Sequence, residues 1–171
     1  FQILIDDQWP EIHDCALLTS KGQATRAAKD LIDRLKDSKE EITFYCVHDA
    51  DAYGTTIYQA LQEATKARPA RTVKVVNLGL EPQEGMEMEL EVEAVETKKE
   101  RRPVAEYVLP KWEEWLQTHR IELNAMSTPQ FIEWLDDKME EFGQGKLIPP
   151  ESVLASELHE RALEKLAQVI R

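Results

Sequence analysis

Cysteine is scarce in this chain: Cys15 and Cys46 are the only two among 171 residues. That excludes a disulfide framework, and no Cys/His cluster has the spacing of a zinc site. Both cysteines fall in short apolar runs that read as buried strands, so core packing is the expected role of each. A cytoplasmic setting fits such usage. Long hydrophobic runs are missing too. Nothing approaches the roughly 20 apolar residues that a membrane-spanning helix needs, and the first residues carry no signal-peptide pattern. No membrane partner is expected. Internal repeats and low-complexity linkers are absent as well, and no Gly-x-Ser-x-Gly elbow surrounds Thr19 or Ser20, which leaves a serine nucleophile without support.

Positive charge is in short supply. The formal net charge is -12, and an acidic surface repels the phosphate backbone that dominates nucleic-acid affinity. Much of the acid lies between Glu81 and Glu100, so a local basic patch elsewhere has room to form. What the chain does have is apolar material for a core, at 42% of residues, in a length suited to one domain with or without an appended segment. The expected division is an α/β domain over 1–126 and a helical extension packed on it over 127–171. The chain starts at Phe1 without a methionine, which reads as a fragment or a processed chain.

Residues 15–20 form an apolar run that predicts a buried strand. From Ala24, the positions Ala24, Ala27, Ala28, Leu31, Ile32 and Leu35 trace one face of a helix, opposite Arg26, Lys29, Asp30, Asp33 and Arg34. Ile42 to Val47 is apolar or β-favouring throughout, the pattern of a strand covered on both faces. A second helix carries Ile57, Ala60, Leu61 and Ala64, and Thr72 to Leu78 predicts a third strand. Strand–helix–strand–helix–strand with short connections implies a doubly wound, mainly parallel sheet. Ligands bind such sheets at the carboxyl ends of the strands, where Ser20-Lys21-Gly22 and the Asp49-Ala50-Asp51 turn both fall.

Beyond Gly79, Met86 to Glu93 alternates with period two and suggests a strand with one wet face, with a helix as the competing assignment. Lys98, Lys99, Arg101 and Arg102 read as a solvated loop, a phosphate contact being the alternative. Pro110 is suited to start a helix bearing Trp112, Trp115 and Leu116. Ile121, Leu123 and Ala125 alternate as a short strand. Ser127 or Thr128 is placed to cap a helix running to Phe142 and ended by Gly143 and Gly145. A last helix from about Glu151 aligns Leu154, Leu158, Ala162, Leu166 and Ile170, for packing on the domain or against a partner helix.

Two aspartates one residue apart, leaving a buried strand into a glycine-containing turn, suit a hard cation: Mg²⁺ takes oxygen ligands and commonly uses one or two carboxylates plus substrate phosphate. Gly54 permits the tight turn into the next helix. The bland alternative is that Asp49 or Asp51 caps that helix. His48 is expected to pack or hydrogen-bond rather than ligate, and Tyr53 and Tyr58 to pack or touch substrate.

The run Leu17-Leu18-Thr19-Ser20-Lys21-Gly22-Gln23-Ala24-Thr25-Arg26, with Val47-His48-Asp49-Ala50-Asp51-Ala52-Tyr53-Gly54-Thr55-Thr56-Ile57-Tyr58 following, carries a family resemblance. It resembles the Toprim domain of the topoisomerase VI A subunit, shared with its meiotic double-strand-break relatives. The resemblance covers residues 1 to 78 well and continues more loosely through Ile121-Glu122-Leu123-Asn124-Ala125. It implies a Toprim-like Rossmannoid fold with additional C-terminal helices. It further implies Mg²⁺ (or Mn²⁺) on Asp49 and Asp51, DNA phosphate contacts from Lys21 and Arg26, and turns at Gly22 and Gly54. DNA is the implied substrate and a homodimer the implied unit; a further implied partner is an ATPase or other subunit. Ser20, Ala24 and Ala52 depart from a glycine and two prolines of the family pattern, loosening turns without removing a ligand. The family's third carboxylate, a glutamate on its first strand, is expected just before residue 1, and its cleaving tyrosine belongs to a preceding winged-helix domain. No catalytic residue is therefore assigned within the chain. Metal-assisted strand cleavage or transfer in a longer protein is the expected function. A nuclease using metal-activated water and a degenerate dimerisation or scaffold module are the alternatives.

Overall fold

The computed structural model describes residues 1–19, 26–36, 42–64, 73–96 and 100–143, together with 155, 158, 159, 162 and 163. Two short helices, α1 (Gln2–Asp6) and α2 (Trp9–Ile12), precede α3 (Arg26–Lys36). There follow β1 (Phe44–Cys46), α4 (Ala52–Gln62), β2 (Val75–Asn77), α5 (Pro82–Glu87) and β3 (Glu93–Ala94). The chain continues through α6 (Pro110–Trp115), β4 (His119–Arg120), a 3₁₀ turn at Leu123–Ala125 and α7 (Thr128–Phe142). The mixture is α/β, and its central pair is parallel, as the sequence pattern requires. Phe44, Tyr45 and Cys46 stand opposite Val75, Val76 and Asn77. The ladder runs on past the strands, since Leu78 N donates to Cys46 O (2.8 Å) and Leu80 N to His48 O (2.9 Å). β3 and β4 form a separate antiparallel pair. No described helix is long and apolar enough to cross a membrane.

Apolar burial sorts into two groups. Ile32, Cys46, Val73 and Val75 form one, with Phe44, Ile57, Tyr58 and Leu61 against it; this is the contact of α3 and α4 with the β1–β2 pair. The larger group gathers Leu4, Trp9, Ala50, Leu78, Leu80, Leu90, Ile121, Met126, Trp134 and Leu135. Helix α7 thus shares a core with α1, α2 and the ends of β1 and β2. Polar ties reinforce that contact: Trp9 Nε1 and His13 Nε2 both lie 2.8 Å from Asp136 Oδ1. Trp134 Nε1 donates to Glu84 Oε1 at 2.9 Å, and Lys138 Nζ reaches the same oxygen at 2.9 Å. At its start, α7 is capped by Ser127, whose N–H and hydroxyl both donate to Gln130 Oε1 (3.0 and 2.8 Å). Gly143 ends it.

Several expectations need correction. Residues 15–19 are irregular rather than a strand: Cys15 and Leu17 lean on the core while Ala16 and Leu18 face outward, so only one side of the run is used. Ala27 and Leu31 are exposed on α3, leaving Ile32 as its buried anchor. Ile42 and Val47, exposed at 36% and 39%, lie outside a β1 shorter than its apolar run. The Met86–Glu93 alternation is not a strand over most of its length. Pro82 at the first helical turn and reciprocal capping between Glu81 and Glu84 make 82–87 helical, so local capping outweighs the period-two pattern. Ile121 to Ala125 is a single bridge followed by a 3₁₀ turn. Pro110 starts α6 as expected, and Leu116 just beyond it is buried. The stripe from Leu154 to Ile170 falls mostly outside the described residues.

Ile121 is fully buried, and its Cδ1 lies 2.7 Å from where a Cβ on Gly85 would stand. Ile121→Ala should therefore cost about 3 kcal/mol of stability, read as a lowered urea midpoint with unchanged slope. An unmoved midpoint would contradict this packing.

Candidate functional site

β1 ends at Cys46, and the chain delivers His48, Asp49, Ala50 and Asp51 to the carboxyl edge of the parallel pair before α4 begins. Asp51 is the N-cap of α4, in extended conformation (φ -134°, ψ 166°), and its Oδ1 accepts a hydrogen bond from Gly54 N. Ala52 takes the first helical position, where a proline would also fit. Asp49 is held differently: its Oδ1 accepts from Leu123 N at 2.8 Å, across 74 positions of sequence. Between the two acids, Ala50 exchanges both backbone hydrogen bonds with Ile121 (2.9 and 3.1 Å). Each aspartate thus spends one oxygen on a backbone N–H, and neither second oxygen accepts a hydrogen bond among the described residues.

Burial raises the pKa of Asp51, and the neighbouring Asp49 charge adds to the rise; the Gly54 hydrogen bond and the charges of His48 and Arg120 oppose it. An acid whose charged form the fold disfavours, in a turn it could leave to asparagine, is an arrangement that a bound cation would relieve. Two carboxylates with an open oxygen each match Mg²⁺, which completes its octahedron with water and phosphate oxygens. Among the described residues, no group of three or more His, Cys, Asp or Glu side chains is disposed to hold a metal. The donor set fits a two-carboxylate Mg²⁺ site and not a closed protein cage. Cys46, at the end of β1, is pushed up to about 12 by burial, so its thiol stays protonated at neutral pH and serves as core.

His48 is packed, as expected. It is 6% exposed, with Nδ1 2.8 Å from Asp49 O and Nε2 3.5 Å from the Tyr107 hydroxyl. Two glycines make room for its ring. A Cβ on Gly79 would lie 2.2 Å from His48 Nε2. A Cβ on Gly54 would lie 2.9 Å from His48 Nδ1 and 2.5 Å from Asp49 O. Gly54 is thus required by close approach within α4 rather than by a turn dihedral, which corrects its expected role. Thr55, buried on the same helix, accepts from Ala105 N (3.1 Å), and Gln59 Oε1 accepts from Glu106 N (3.0 Å). Tyr107 then stacks edge-on against Tyr58 at 5.2 Å. Tyr53 is exposed at 41%.

The structure therefore brings Asp49, Asp51 and Gly54 together. Arg26 opens α3, with its side chain outside the described residues, and Lys21 and Gly22 lie outside them altogether. Of the basic run, Arg101 pairs with Glu113 and Glu114 (3.2 and 2.8 Å). Arg102 bonds the carbonyls of Gln117 and Glu96. Both serve loop structure there. Sequence reasoning missed Gly79, Tyr107, Arg120 and the Leu123 amide. Gly79 had a readable signal, a glycine between leucines at a strand end, which marks close approach of another group.

With this geometry in view, the family comparison is informative. The model of the family described as Topoisomerase 6 A subunit/Spo11, Toprim domain, matches residues 1–142. No curated protein and no solved structure gives a significant match. The chain belongs to this Toprim family of topoisomerase VI A and Spo11 proteins, and its parallel pair flanked by helices accords with the Rossmann-like α/β fold of that domain.

Two outcomes test the site's packing and charge. Gly79→Ala should destabilise the chain by about 2 kcal/mol, and far less on a His48→Ala background, because the clash needs both groups. Equal losses in both backgrounds, measured by chemical denaturation, would refute the contact. For Asp51, the folded pKa lies above the unfolded one. Its contribution to stability is therefore most favourable below the unfolded pKa and declines as pH rises through the folded pKa. Without metal, Asp51→Asn should raise the melting temperature at pH 7, the gain shrinking as pH falls through the carboxylate range. A gain that grows toward acid would refute the burial argument.

Proposed function

We propose that this Toprim chain serves DNA strand cleavage or transfer, with Asp49 and Asp51 holding Mg²⁺, or Mn²⁺ in its place, against a DNA phosphodiester. The reading rests chiefly on the paired carboxylates at the end of β1, each fixed through one oxygen by a backbone N–H with the other oxygen left open. A divalent cation there supplies charge neutralisation to the phosphodiester and to its attacking and leaving oxygens. The chain's own part is orientation. The Leu123 amide and the Ala50–Ile121 exchange fix Asp49, and the helix cap fixes Asp51. Both side chains are aimed before ligand arrives, so little ordering remains to be done on binding. Lys21 and Arg26 are the proposed backbone contacts from the neighbouring strand end and helix start. The partners this reading implies are DNA, a second copy of the chain, and an ATPase or other subunit.

A non-catalytic reading, with the fold as a dimerisation or scaffold module, draws on the lack of a third acidic ligand among the described residues. A nuclease acting through metal-activated water shares the metal site and differs only in the nucleophile. Titration calorimetry separates metal binding from its absence. Mn²⁺ should bind the wild-type chain, and Asp49→Asn with Asp51→Asn should abolish that binding while circular dichroism stays native, since asparagine still caps α4. Undiminished Mn²⁺ affinity in the double variant would defeat the assignment.

A further inference from the structure

Arg120 closes β4, and the residue after it is locked to the acidic turn. Ile121 exchanges both backbone hydrogen bonds with Ala50, the residue between Asp49 and Asp51, so Arg120 is carried to the flank of that turn. The charges of Arg120 and Asp51 act on each other. The guanidinium is held along one side. Nε and Nη2 both donate to Glu93 Oε2 (2.9 and 2.6 Å), and Nη2 lies 2.8 Å from Glu122 Oε1. Asn124 Nδ2 in turn donates to Glu122 Oε2 at 2.9 Å, fixing the second holder. Nη1 makes no hydrogen bond among the described residues, and the side chain keeps 37% of its surface exposed.

As a stabilising ion pair this arrangement has little value, because solvent-exposed pairs contribute about 0–1 kcal/mol. Its effect is geometric. Two carboxylates fix the plane of a planar fork and leave one N–H edge unused beside a pair of acids. A guanidinium held this way is suited to a phosphate oxygen, which it meets by charge-assisted hydrogen bonds in fixed geometry. It also places a cation where the acidic pair would otherwise repel a phosphodiester.

We propose that Arg120 is a phosphate-binding residue of the Asp49/Asp51 site, oriented by Glu93 and Glu122 so that its Nη1 edge meets a backbone oxygen of DNA held there. The inference rests on the metal-and-DNA reading above and adds to it a contact that the sequence pattern did not single out.

The test measures two affinities on the full chain: Mn²⁺ by calorimetry, and a fluorescent duplex oligonucleotide by anisotropy in the presence of Mn²⁺. Arg120→Gln should weaken the duplex at least tenfold and reduce the slope of log affinity against log salt by about 0.9. Mn²⁺ affinity should stay equal or become tighter, because a cation has left the site. Glu93→Gln with Glu122→Gln discriminates further. Removing two negative charges should strengthen DNA binding if bulk charge alone mattered, whereas loss of the holders should weaken it. Duplex affinity at the wild-type level in a folded Arg120→Gln variant overturns the proposal, as does a wild-type chain that takes Mn²⁺ and no duplex. A wild-type chain that takes no Mn²⁺ defeats the underlying metal reading instead. Should Arg120→Gln fail to fold, Arg120→Lys keeps the charge and loses the fork: weakened duplex binding at native melting temperature supports the proposal, and unchanged binding overturns it.

Discussion

The acidic turn depends on a short backbone exchange between Ala50 and Ile121. Both residues are almost completely buried, at 1% and 0% exposure, so these two hydrogen bonds form away from competing water, where leaving them unmade would cost most. Their position makes them decisive. They pin the residue between Asp49 and Asp51, they set Leu123 N against Asp49 Oδ1, and they carry Arg120 and Glu122 to the side of the turn. The large core supports them from behind through Leu78, Leu80 and Trp134. Sheet, acids and basic flank are thus assembled by one contact between segments far apart in sequence, and the side chains of the site inherit their positions from backbone atoms.

Packing beneath the turn is equally specific. His48 lies under Asp49 with its ring in a space that only glycine at positions 54 and 79 leaves open. Side chains at either position would push on the ring or on the Asp49 carbonyl, and the carboxylate would move with its backbone. The charge on Asp51 runs the other way, because burial and Asp49 disfavour it. A turn built for stability alone would place a neutral cap there. Retaining two adjacent acids at the end of β1, with rigid support, gives up some stability for binding capacity, a trade that functional sites commonly make.

Much of the frame was legible in the chain. The apolar runs of β1 and β2, the stripe of α4, the proline starting α6 and the Ser127 cap of α7 all reflect local rules that tertiary contacts did not overturn. So did the Asp49-Ala50-Asp51 turn, because a strand end followed by a helix cap is a local pattern. What failed did so for stated reasons. The alternation from Met86 to Glu93 lost to the capping of α5 by Glu81 and Glu84. The run from Cys15 has one face on the core and is irregular. The partners of the site could not be read at all from spacing. The Leu123 amide, Arg120 and Tyr107 reach it only through tertiary contacts, and a backbone N–H leaves no mark in a sequence. Arg120 in particular reads as an ordinary surface cation until Ile121 is seen bridged to Ala50.

The most direct test of the central claim uses Mn²⁺ as a paramagnetic probe of the ¹⁵N-labelled chain. The two amides that donate to the acids, Leu123 and Gly54, should be the first signals lost to broadening at substoichiometric Mn²⁺, with Ala50 and Ile121 close behind. A different acidic surface exists between α5 and α7, lined by Glu84, Glu87, Glu133, Asp137 and Glu141. Broadening that began there, with Gly54 and Leu123 left sharp, would contradict the account.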